Sequence, residues 1–482
     1  MIRNVAARVA WCLAMGVITA PGVALAQNSA PATKPAGPSA QPAAARAYKP
    51  NIADEDWGFL ADQTQRRDFF DPVKYISFMD GRSYLTLGGE VRIRPEGLRL
   101  RGAPGEDNTV DNYVFQRYLF ATDWHMGKRL RLYGELQSGL LNGKLASPRP
   151  TDENVADVHQ AFFEYHSPRG ADRQFLLRVG RQEMTIGSSR LISASQGLNV
   201  KRSFDGVVGG YQVGRWQAEG GAARLVAVGG GAFDDASTTA QEFWGGSVRR
   251  SGVVFPGGAA GVYYLGVDRR ESTYTQGLGA EQRHTVGGKF AGVWRAWEFD
   301  YDLVGQWGEF AGAPARGWGL SAENSVRVRT WPLRPRFTLR VNAASGDRDA
   351  ADPRLQSFNP LFPGNSYSGL VGLLGPTNLT DVTPAVQLLA PHRIVFVVEV
   401  PNYFRTSERD GIYNIELRPL PVPATNPGRY VGSNPAFVAV WNATTHLSLT
   451  GVITRFIPGR FTEGSFIQHG FGFYSTSFTY RF

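Results

Sequence analysis

The chain has 482 residues, among them 57 glycines, 29 phenylalanines, 18 tyrosines and 11 tryptophans, but a single cysteine. Its formal charge is +9, and seven of the 51 basic residues are lysines, so that 51 − 7 = 44 are arginines. One cysteine excludes an internal disulfide framework and thiolate metal sites, and the abundance of glycine and aromatic residues favours a large β structure.

The amino terminus has the features of a secretory signal peptide. Two arginines precede the apolar run at residues 9–20, and Ala24-Leu25-Ala26 offers a cleavage site before Gln27. The apolar run is too short for a membrane helix. We therefore predict that residues 1–26 are a signal peptide that directs export.

The next two segments carry no strand pattern. Residues 27–50 are rich in proline and alanine, which predicts a flexible tether that buries no core. Residues 51–82 have mixed composition, and we expect them to form a periplasmic segment at the mouth of the structure that follows. No later stretch approaches the ~18 consecutive apolar residues of a membrane helix, and we assign residues 83–482 to one domain.

From Tyr84 onward, apolar and polar residues alternate with the period of a β-strand. The alternation opposes Leu85, Leu87, Val91 and Ile93 to Thr86, Glu90, Arg92 and Arg94. Pro95 is expected to end this strand. Further strands alternate in the same way at residues 115–124, 130–137 and 161–166, with connections that are long, short and long.

The alternation is strongest at residues 297–307. Five large apolar or aromatic residues lie on one face, while Glu298, Asp300, Asp302 and Gln306 lie on the other. Three carboxylates on one face favour a wet lumen over a dry core. Such strands, with long and short connections in turn, are typical of a transmembrane barrel whose outer face meets lipid.

The last residues, 470–482, complete this pattern. One face carries Tyr474, Phe478, Tyr480 and Phe482, and the other is mostly serine and threonine. A terminal phenylalanine on such a strand resembles the carboxyl-terminal signal of bacterial outer-membrane proteins. We predict an all-β fold: one antiparallel transmembrane barrel of about 18 strands in the outer membrane, with long extracellular loops and short periplasmic turns.

The inner face of this barrel is predicted to be rich in arginine. Strand alternation turns the following charged residues inward: Arg92, Arg94, Arg117, Arg131, Arg178, Asp300, Asp302, Arg327, Arg336, Arg340 and Arg393. Two interpretations fit them. In one, ion pairs across a wet lumen stiffen the wall. In the other, arginines pass carboxylates along a selective path for anions, and interleaved acidic residues compete for the arginines and aid release.

No catalytic signature is found, because the G-x-S-x-G, H-E-x-x-H, P-loop and C-x-x-C patterns are absent and the seven histidines are scattered. We expect no enzyme activity, no cofactor and no metal site. A barrel hydrolase with a Ser/His pair is the enzymatic alternative.

Several motifs resemble the alginate-export family of outer-membrane porins. They are VGRQEMTIGSSRLISASQGLNVKRSFDGV (179–207), GDRDAADPRLQSFNPLFP (346–363), LLGPTNLTDVTP (373–384), HLSLTGVITRFIPGRF (446–461) and GGEVRIRPE (88–96). The resemblance runs from about residue 55 to the end. It implies an 18-stranded monomeric barrel with an electropositive constriction and, in the characterised branch of the family, passage of a polyuronate.

On that resemblance, Arg181, Arg190, Arg202 and Asp205 are expected to be pore-loop residues. The expected partners are outer-membrane lipid, an anionic polysaccharide or small anionic solute, and periplasmic export components, but not nucleic acid. The function expected is export of alginate or a similar acidic polysaccharide. Uptake of small organic acids or oligosaccharides is one alternative, and a plugged structural or receptor barrel is another.

Overall fold

The computed structural model describes residues 48–100, 110–145, 147–167, 173–185, 190–349, 351–364 and 372–482. The predicted signal peptide and nearly all of the predicted tether lie outside the described residues.

The described part of the chain contains 21 β-strands. They are Ile76–Phe78 (β1), Ser83–Leu100 (β2), Val110–Met126 (β3), Leu130–Asn142 (β4), Asn154–His166 (β5), Arg173–Gln182 (β6), Phe204–Val213 (β7), Trp216–Ala227 (β8), Ala236–Ser251 (β9), Gly258–Tyr274 (β10), Gly277–Trp294 (β11), Trp297–Phe310 (β12), Ala313–Arg327 (β13), Arg336–Ala344 (β14), Leu379–Ala390 (β15), Ile394–Glu399 (β16), Asn402–Arg405 (β17), Tyr430–Ser433 (β18), Ala436–Asn442 (β19), Leu447–Pro458 (β20) and Phe471–Arg481 (β21).

These strands form one closed antiparallel barrel of 18 wall strands. Strands β16 and β17 both pair with β15 and are halves of one wall strand, interrupted at Pro401. Strands β18 and β19 both pair with β20 and are likewise interrupted at Pro435, since proline has no amide hydrogen for the ladder. The short β1 pairs only with the first residues of β2 and is not counted as a wall strand. Strand β21 pairs with β2 and so closes the wall. The predicted strand number and fold are confirmed.

Residues alternate between lumen and outer surface as the sequence predicts. On β12, Val304 and Gln306 are buried, while Leu303 is 64% exposed and Trp307 is 47% exposed on the outside. No helix among the described residues is long and apolar enough to cross a membrane.

Pro95 does not end its strand. Strand β2 continues to Leu100, and Pro95 lies opposite Val114 of β3. Only the pairing with β21 is interrupted, between Ile93 and Glu96. The barrel therefore tolerates the proline because one side of the strand keeps its register.

The connections are short at one rim and mostly long at the other. Turns such as 127–129, 214–215 and 295–296 link strands at the rim that also holds Ser83 and Arg481. The opposite rim carries the loops 183–203, 345–378, 406–429 and 459–470, together with two hairpin turns of two residues each, 275–276 and 311–312. The expected asymmetry is thus present, with two short connections on the long-loop side.

Residues 48–82 contain short helical turns at Ile52–Asp54, Gly58–Ala61, Gln63–Gln65 and Asp71–Lys74. Ile52 and Ala53 are buried against wall residues of β3, β4 and β5 that face the lumen: Leu119, Ala121, Tyr133 and Phe162. Lys74 Nζ donates to the carbonyl oxygen of Phe482 at 2.8 Å. The amino-terminal segment therefore fills part of the short-turn mouth and contacts the end of the chain.

At the long-loop rim, one arginine holds a whole loop. The Arg405 guanidinium donates to five carbonyl oxygens between residues 408 and 428, at 2.7–3.2 Å. It also lies over the Phe461 ring, 3.7 Å from the centroid. The loop 406–429 therefore takes its shape around one buried cation.

Replacing Arg405 with alanine should loosen this loop without opening the barrel. A hydrogen bond from a charged donor contributes about 1.5–3 kcal/mol, and five backbone acceptors would lose theirs together. We expect much faster proteolysis within 406–429 at unchanged heat-modifiable gel mobility. Arg418→Ala, an exposed arginine of the same loop, is the control. Equal proteolysis of the two variants would contradict the proposed role.

Candidate functional site

Two loops enter the lumen and pack on its inner wall. Loop residues Met184, Leu191, Ile192, Phe358, Leu361 and Phe362 form one buried apolar cluster with the inward side chains Phe204, Ala223, Phe243, Tyr263, Leu265, Val267, Val304 and Ala344. The wall members come from β7, β8, β9, β10, β12 and β14. Loops 183–203 and 345–378 are thus fixed inside the barrel by burial of apolar surface.

The two loops also pair with each other. Ile192 and Phe362 form a parallel bridge, in which Ser193 N donates to Phe362 O at 3.0 Å and Phe362 N donates to Leu191 O at 2.7 Å. They therefore act as one inserted unit.

Loop 183–203 crosses the lumen. At one side, Arg190 Nη1 lies 3.0 Å from Asp300 Oδ1 on β12. At the other, Arg92 Nη2 on β2 donates to Leu198 O at 2.6 Å, and Arg117 Nη1 on β3 donates to the same oxygen at 2.9 Å. Strand β12 is ten places from β2 in a wall of 18 strands, so the loop joins nearly opposite walls and narrows the channel.

A buried charged cluster holds the returning end of this loop. Lys201 Nζ lies 2.5 Å from Glu183 Oε1 and 3.5 Å from Glu135 Oε1, and His159 Nε2 lies 3.0 Å from Glu183 Oε1. Burial alone would raise the pKa of Glu183, but the Lys201 charge and the His159 contacts outweigh it and bring the pKa to about 2. Glu135, His159 and Glu183 are close enough to share a metal ion, but the lysine ammonium is bonded to both carboxylates.

Several of the predicted lumen arginines hold these loops. Arg94 donates to Gly197 O and pairs with Glu96 at 2.8 Å. Arg202 Nη1 donates to Ser193 O, Phe362 O and Pro363 O at 2.9–3.2 Å, and its pKa is lowered to about 10 by burial and by the charge of Arg269. Arg92, Arg94, Arg117 and Arg202 therefore direct their donors at loop carbonyl groups.

Two further predicted arginines form a cluster with wall carboxylates, and one of them, Arg131, joins the wall to the amino-terminal segment. Arg131 Nε lies 2.7 Å from Asp123 Oδ1, and its Nη2 donates to Ala53 O at 2.6 Å. Glu164 accepts from both Arg131 and Arg178, at 3.2 and 2.6 Å. These contacts stiffen the short-turn end of the lumen.

A second group of charges lies on β11–β16, and we call it the charged strip. Its members are Lys289, Glu298, Asp300, Glu323, Arg327, Arg336, Arg340 and Glu399, with Arg190 reaching in from the loop. The N–O distances of its ion pairs run from 2.9 to 3.9 Å, and all members except the buried Arg340 keep partial solvent exposure. Asp302 is next to it and accepts from Tyr263 OH at 2.7 Å.

The arginines of the strip are incompletely satisfied. Arg327 Nη1, Arg336 Nε and Arg340 Nε have no hydrogen-bond partner among the described residues. Arg340 reaches Glu399 only at 3.9 Å. These three nitrogens are themselves buried, so a solute oxygen would be bound by the other donors of each guanidinium fork.

Three predicted residues are not in the lumen. Arg181 and Asp205 are register partners on β6 and β7, on the face opposite to the inward Gln182 and Phe204. Their ion pair, 2.9 Å long, lies on the outer surface. Arg393 is exposed in the turn between β15 and β16, with φ of 61°. The expectation that these residues line the path is wrong in its geometry.

Sequence patterning also missed residues that the structure brings to the site. Lys201 lies in a loop, where strand alternation assigns no face, and Arg190 of the same loop was expected only from the family resemblance. Arg269 donates to Leu361 O. It lies two residues after the inward Val267 and therefore faces the lumen too, but the many glycines in the neighbouring strands obscure the alternation of apolar and polar residues there. Only contacts distant in sequence identify these residues.

The comparisons agree with this architecture. The sequence matches the alginate export family over residues 83–478, and no curated protein matches it. Solved structures with a similar fold include a BenF-like porin from Pseudomonas fluorescens Pf-5, with a TM-score of 0.55, 9% identity and coverage of 82% of this chain and 98% of that one.

Two further solved structures are similar as well. OccAB4 of Acinetobacter baumannii has a TM-score of 0.54 and 9% identity, and the match covers 85% of this chain and 99% of that one. OccK2 (OpdF) of Pseudomonas aeruginosa, solved in complex with glucuronate, has a TM-score of 0.51 and 11% identity over 82% of this chain and 96% of that one. At these identities the likeness shows the fold alone. With the closed 18-stranded barrel and a family match across nearly all of it, the chain is an outer-membrane porin that belongs to the alginate export family.

Proposed function

We propose that this porin passes anionic, carboxylated solutes, and that its solute is alginate or a similar acidic polysaccharide moving outward. The observation that carries the proposal is the charged strip, where Arg327, Arg336 and Arg340 lie close together on β13 and β14 and most of their ion pairs are long. A guanidinium matches a carboxylate in two parallel hydrogen bonds.

The charged strip is better suited to passing a solute carboxylate from one arginine to the next than to binding it tightly. Arg336 already lies 2.9 Å from Glu298 and 3.5 Å from Glu323, so a solute carboxylate would compete with groups of the protein itself. At ~4 Å and an effective dielectric constant of about 20, one charge pair amounts to roughly 4 kcal/mol before desolvation and salt reduce it. Competing carboxylates lower the net gain, as a path with rapid release requires.

The comparisons support a carboxylated sugar in two ways. The family match concerns alginate export, and one structural neighbour was solved with glucuronate, a uronate. Uptake of small organic acids or oligosaccharides is the second candidate, and the neighbour solved with glucuronate, a small carboxylated solute, favours it. A third candidate is a plugged barrel, favoured by the two loops that pack on the inner wall of the lumen. We propose no enzymatic role, since both the family and the fold are those of channels.

Single-channel recording of the purified protein distinguishes these candidates. In a potassium chloride gradient, the reversal potential should show preference for chloride. Free mannuronate or guluronate should block the chloride current more strongly than a neutral hexose at equal concentration. Preference for potassium would contradict the anion path, equal block by the neutral sugar would favour a general uptake porin, and absence of conductance would favour the plugged barrel.

A further inference from the structure

Three carboxylates meet at the long-loop rim, away from the lumen strip. Asp157 is near the start of β5, and Asp234 and Asp235 end the loop that leads into β9. One oxygen of each lies within 4.8 Å of the others. Asp157 is buried, Asp235 is half-buried and Asp234 is exposed, so the group is open to solvent on one side.

The backbone brings the carboxylates together across a gap in the wall. Pairing of β5 with β6 ends at Ala161 and Arg181, and the loop 228–235 takes the place of β6 beyond that point. Ala156 and Ala232 form a parallel bridge, in which Phe233 N donates to Ala156 O at 2.9 Å. Chain segments far apart in sequence thus converge on the three aspartates.

The local charge is poorly balanced. Arg181 Nη1 approaches Asp157 Oδ1 at 3.8 Å, but the same guanidinium makes two hydrogen bonds to Asp205, at 2.9 and 3.2 Å. Arg181 is therefore shared between the carboxylates of Asp157 and Asp205. Like charges this close repel one another, and a cation between them removes the repulsion.

A buried amide supplies an independent indication of a ligand. Asn154 is fully buried, and its Nδ2 donates to Asp235 Oδ1 at 2.9 Å. Its Oδ1 has no hydrogen-bond partner among the described residues. That oxygen shares a carbon with the donating nitrogen, and rotation of the amide by half a turn would exchange the two atoms and direct the oxygen at Asp235. Buried polar atoms are nearly always hydrogen-bonded, and a cation held by the three carboxylates would give this oxygen a partner.

We propose that Asp157, Asp234, Asp235 and Asn154 form a calcium site. Calcium takes six to eight oxygen ligands in flexible geometry, including carboxylates and amide carbonyls, and accepts water at open positions. Magnesium demands a stricter octahedron and fits a mixed set on a loop less well. The bound ion clamps the loop 228–235 onto β5 and closes the gap that β6 leaves in the rim. This role is independent of the solute that the channel passes.

Calorimetric titration of the full chain in detergent, after treatment with EGTA, tests the site. Calcium chloride should show one saturable site with a Kd of about 10⁻⁴–10⁻³ M, the range of extracellular calcium modules, and magnesium should bind more weakly. Asp234→Asn keeps an oxygen for its contact with Gly231 N but removes a charge. It should weaken calcium binding at least tenfold.

The matched control is Asp349→Asn, which changes an exposed loop aspartate that also accepts from a backbone amide. Its calcium affinity should equal that of the wild type. Calcium should also slow proteolysis within 228–235 in the wild type and in this control, but not in Asp234→Asn. Absence of saturable calcium binding up to about 10 mM, well above the expected Kd, would overturn the proposal. So would equal affinity in Asp234→Asn and the wild type.

Discussion

Replacing Lys201 with methionine should raise the conductance and the current noise of the channel. The ammonium group is fully buried between Glu135 and Glu183, and methionine fills a similar volume without charge. The two carboxylates would then face each other without a cation. Removing one partner of a buried ion pair costs about 3–5 kcal/mol, and the cost is relieved when loop 183–203 leaves the wall. Loop opening should therefore become roughly a hundredfold or more favourable.

A second set of substitutions distinguishes release of loop 183–203 from general misfolding of the Lys201→Met variant. Adding Glu135→Gln and Glu183→Gln to Lys201→Met removes the uncompensated charges, so conductance should return toward the wild-type value. Lys128→Met makes the same substitution at an exposed turn and should change nothing. Wild-type conductance in Lys201→Met would show that the apolar cluster and the arginines of β2 and β3 hold the loop without Lys201.

The wall of the barrel could be predicted from sequence because each strand meets two different media. Period-two alternation, as in β12, reports that difference directly and gives the correct face for Arg92, Arg117 and Arg340. The same rule, counted from Phe175 and Val179 on β6, places Arg181 on the outer surface. The family resemblance had assigned Arg181 to the pore loop, whereas strand alternation agrees with its position in the structure.

What the inward arginines contact could not be predicted. Alternation says that Arg92 and Arg117 face the lumen, but the lumen at that height holds residues 196–198 of an inserted loop. The path of such a loop depends on contacts between residues about 80–170 positions apart, such as Ile192 with Phe362, and no short-range periodicity records them. Four of the predicted path residues, Arg92, Arg94, Arg117 and Arg202, consequently hold loops, and the charged strip is left for solutes.

Replacing Arg327, Arg336 and Arg340 together with glutamine should convert the channel from anion to cation preference. The substitutions preserve much of the side-chain volume but leave Glu298, Glu323 and Glu399 without their arginine partners. Even about 1.4 kcal/mol lost at each position is a tenfold change in anion occupancy. The reversal potential should change sign, block by mannuronate should largely disappear, and both effects should shrink in high salt because screening weakens exposed charges.

The matched control for this triple variant changes the same number of charges outside the lumen. Arg82, Arg129 and Arg393 are exposed in turns at the short-turn rim, so their replacement by glutamine should leave selectivity nearly unchanged. If the control moves the reversal potential as far as the lumen variant does, the surface charge of the rim sets selectivity. If neither variant moves it, the charged strip consists of ion pairs that stiffen the wall, and the arginines do not conduct anions.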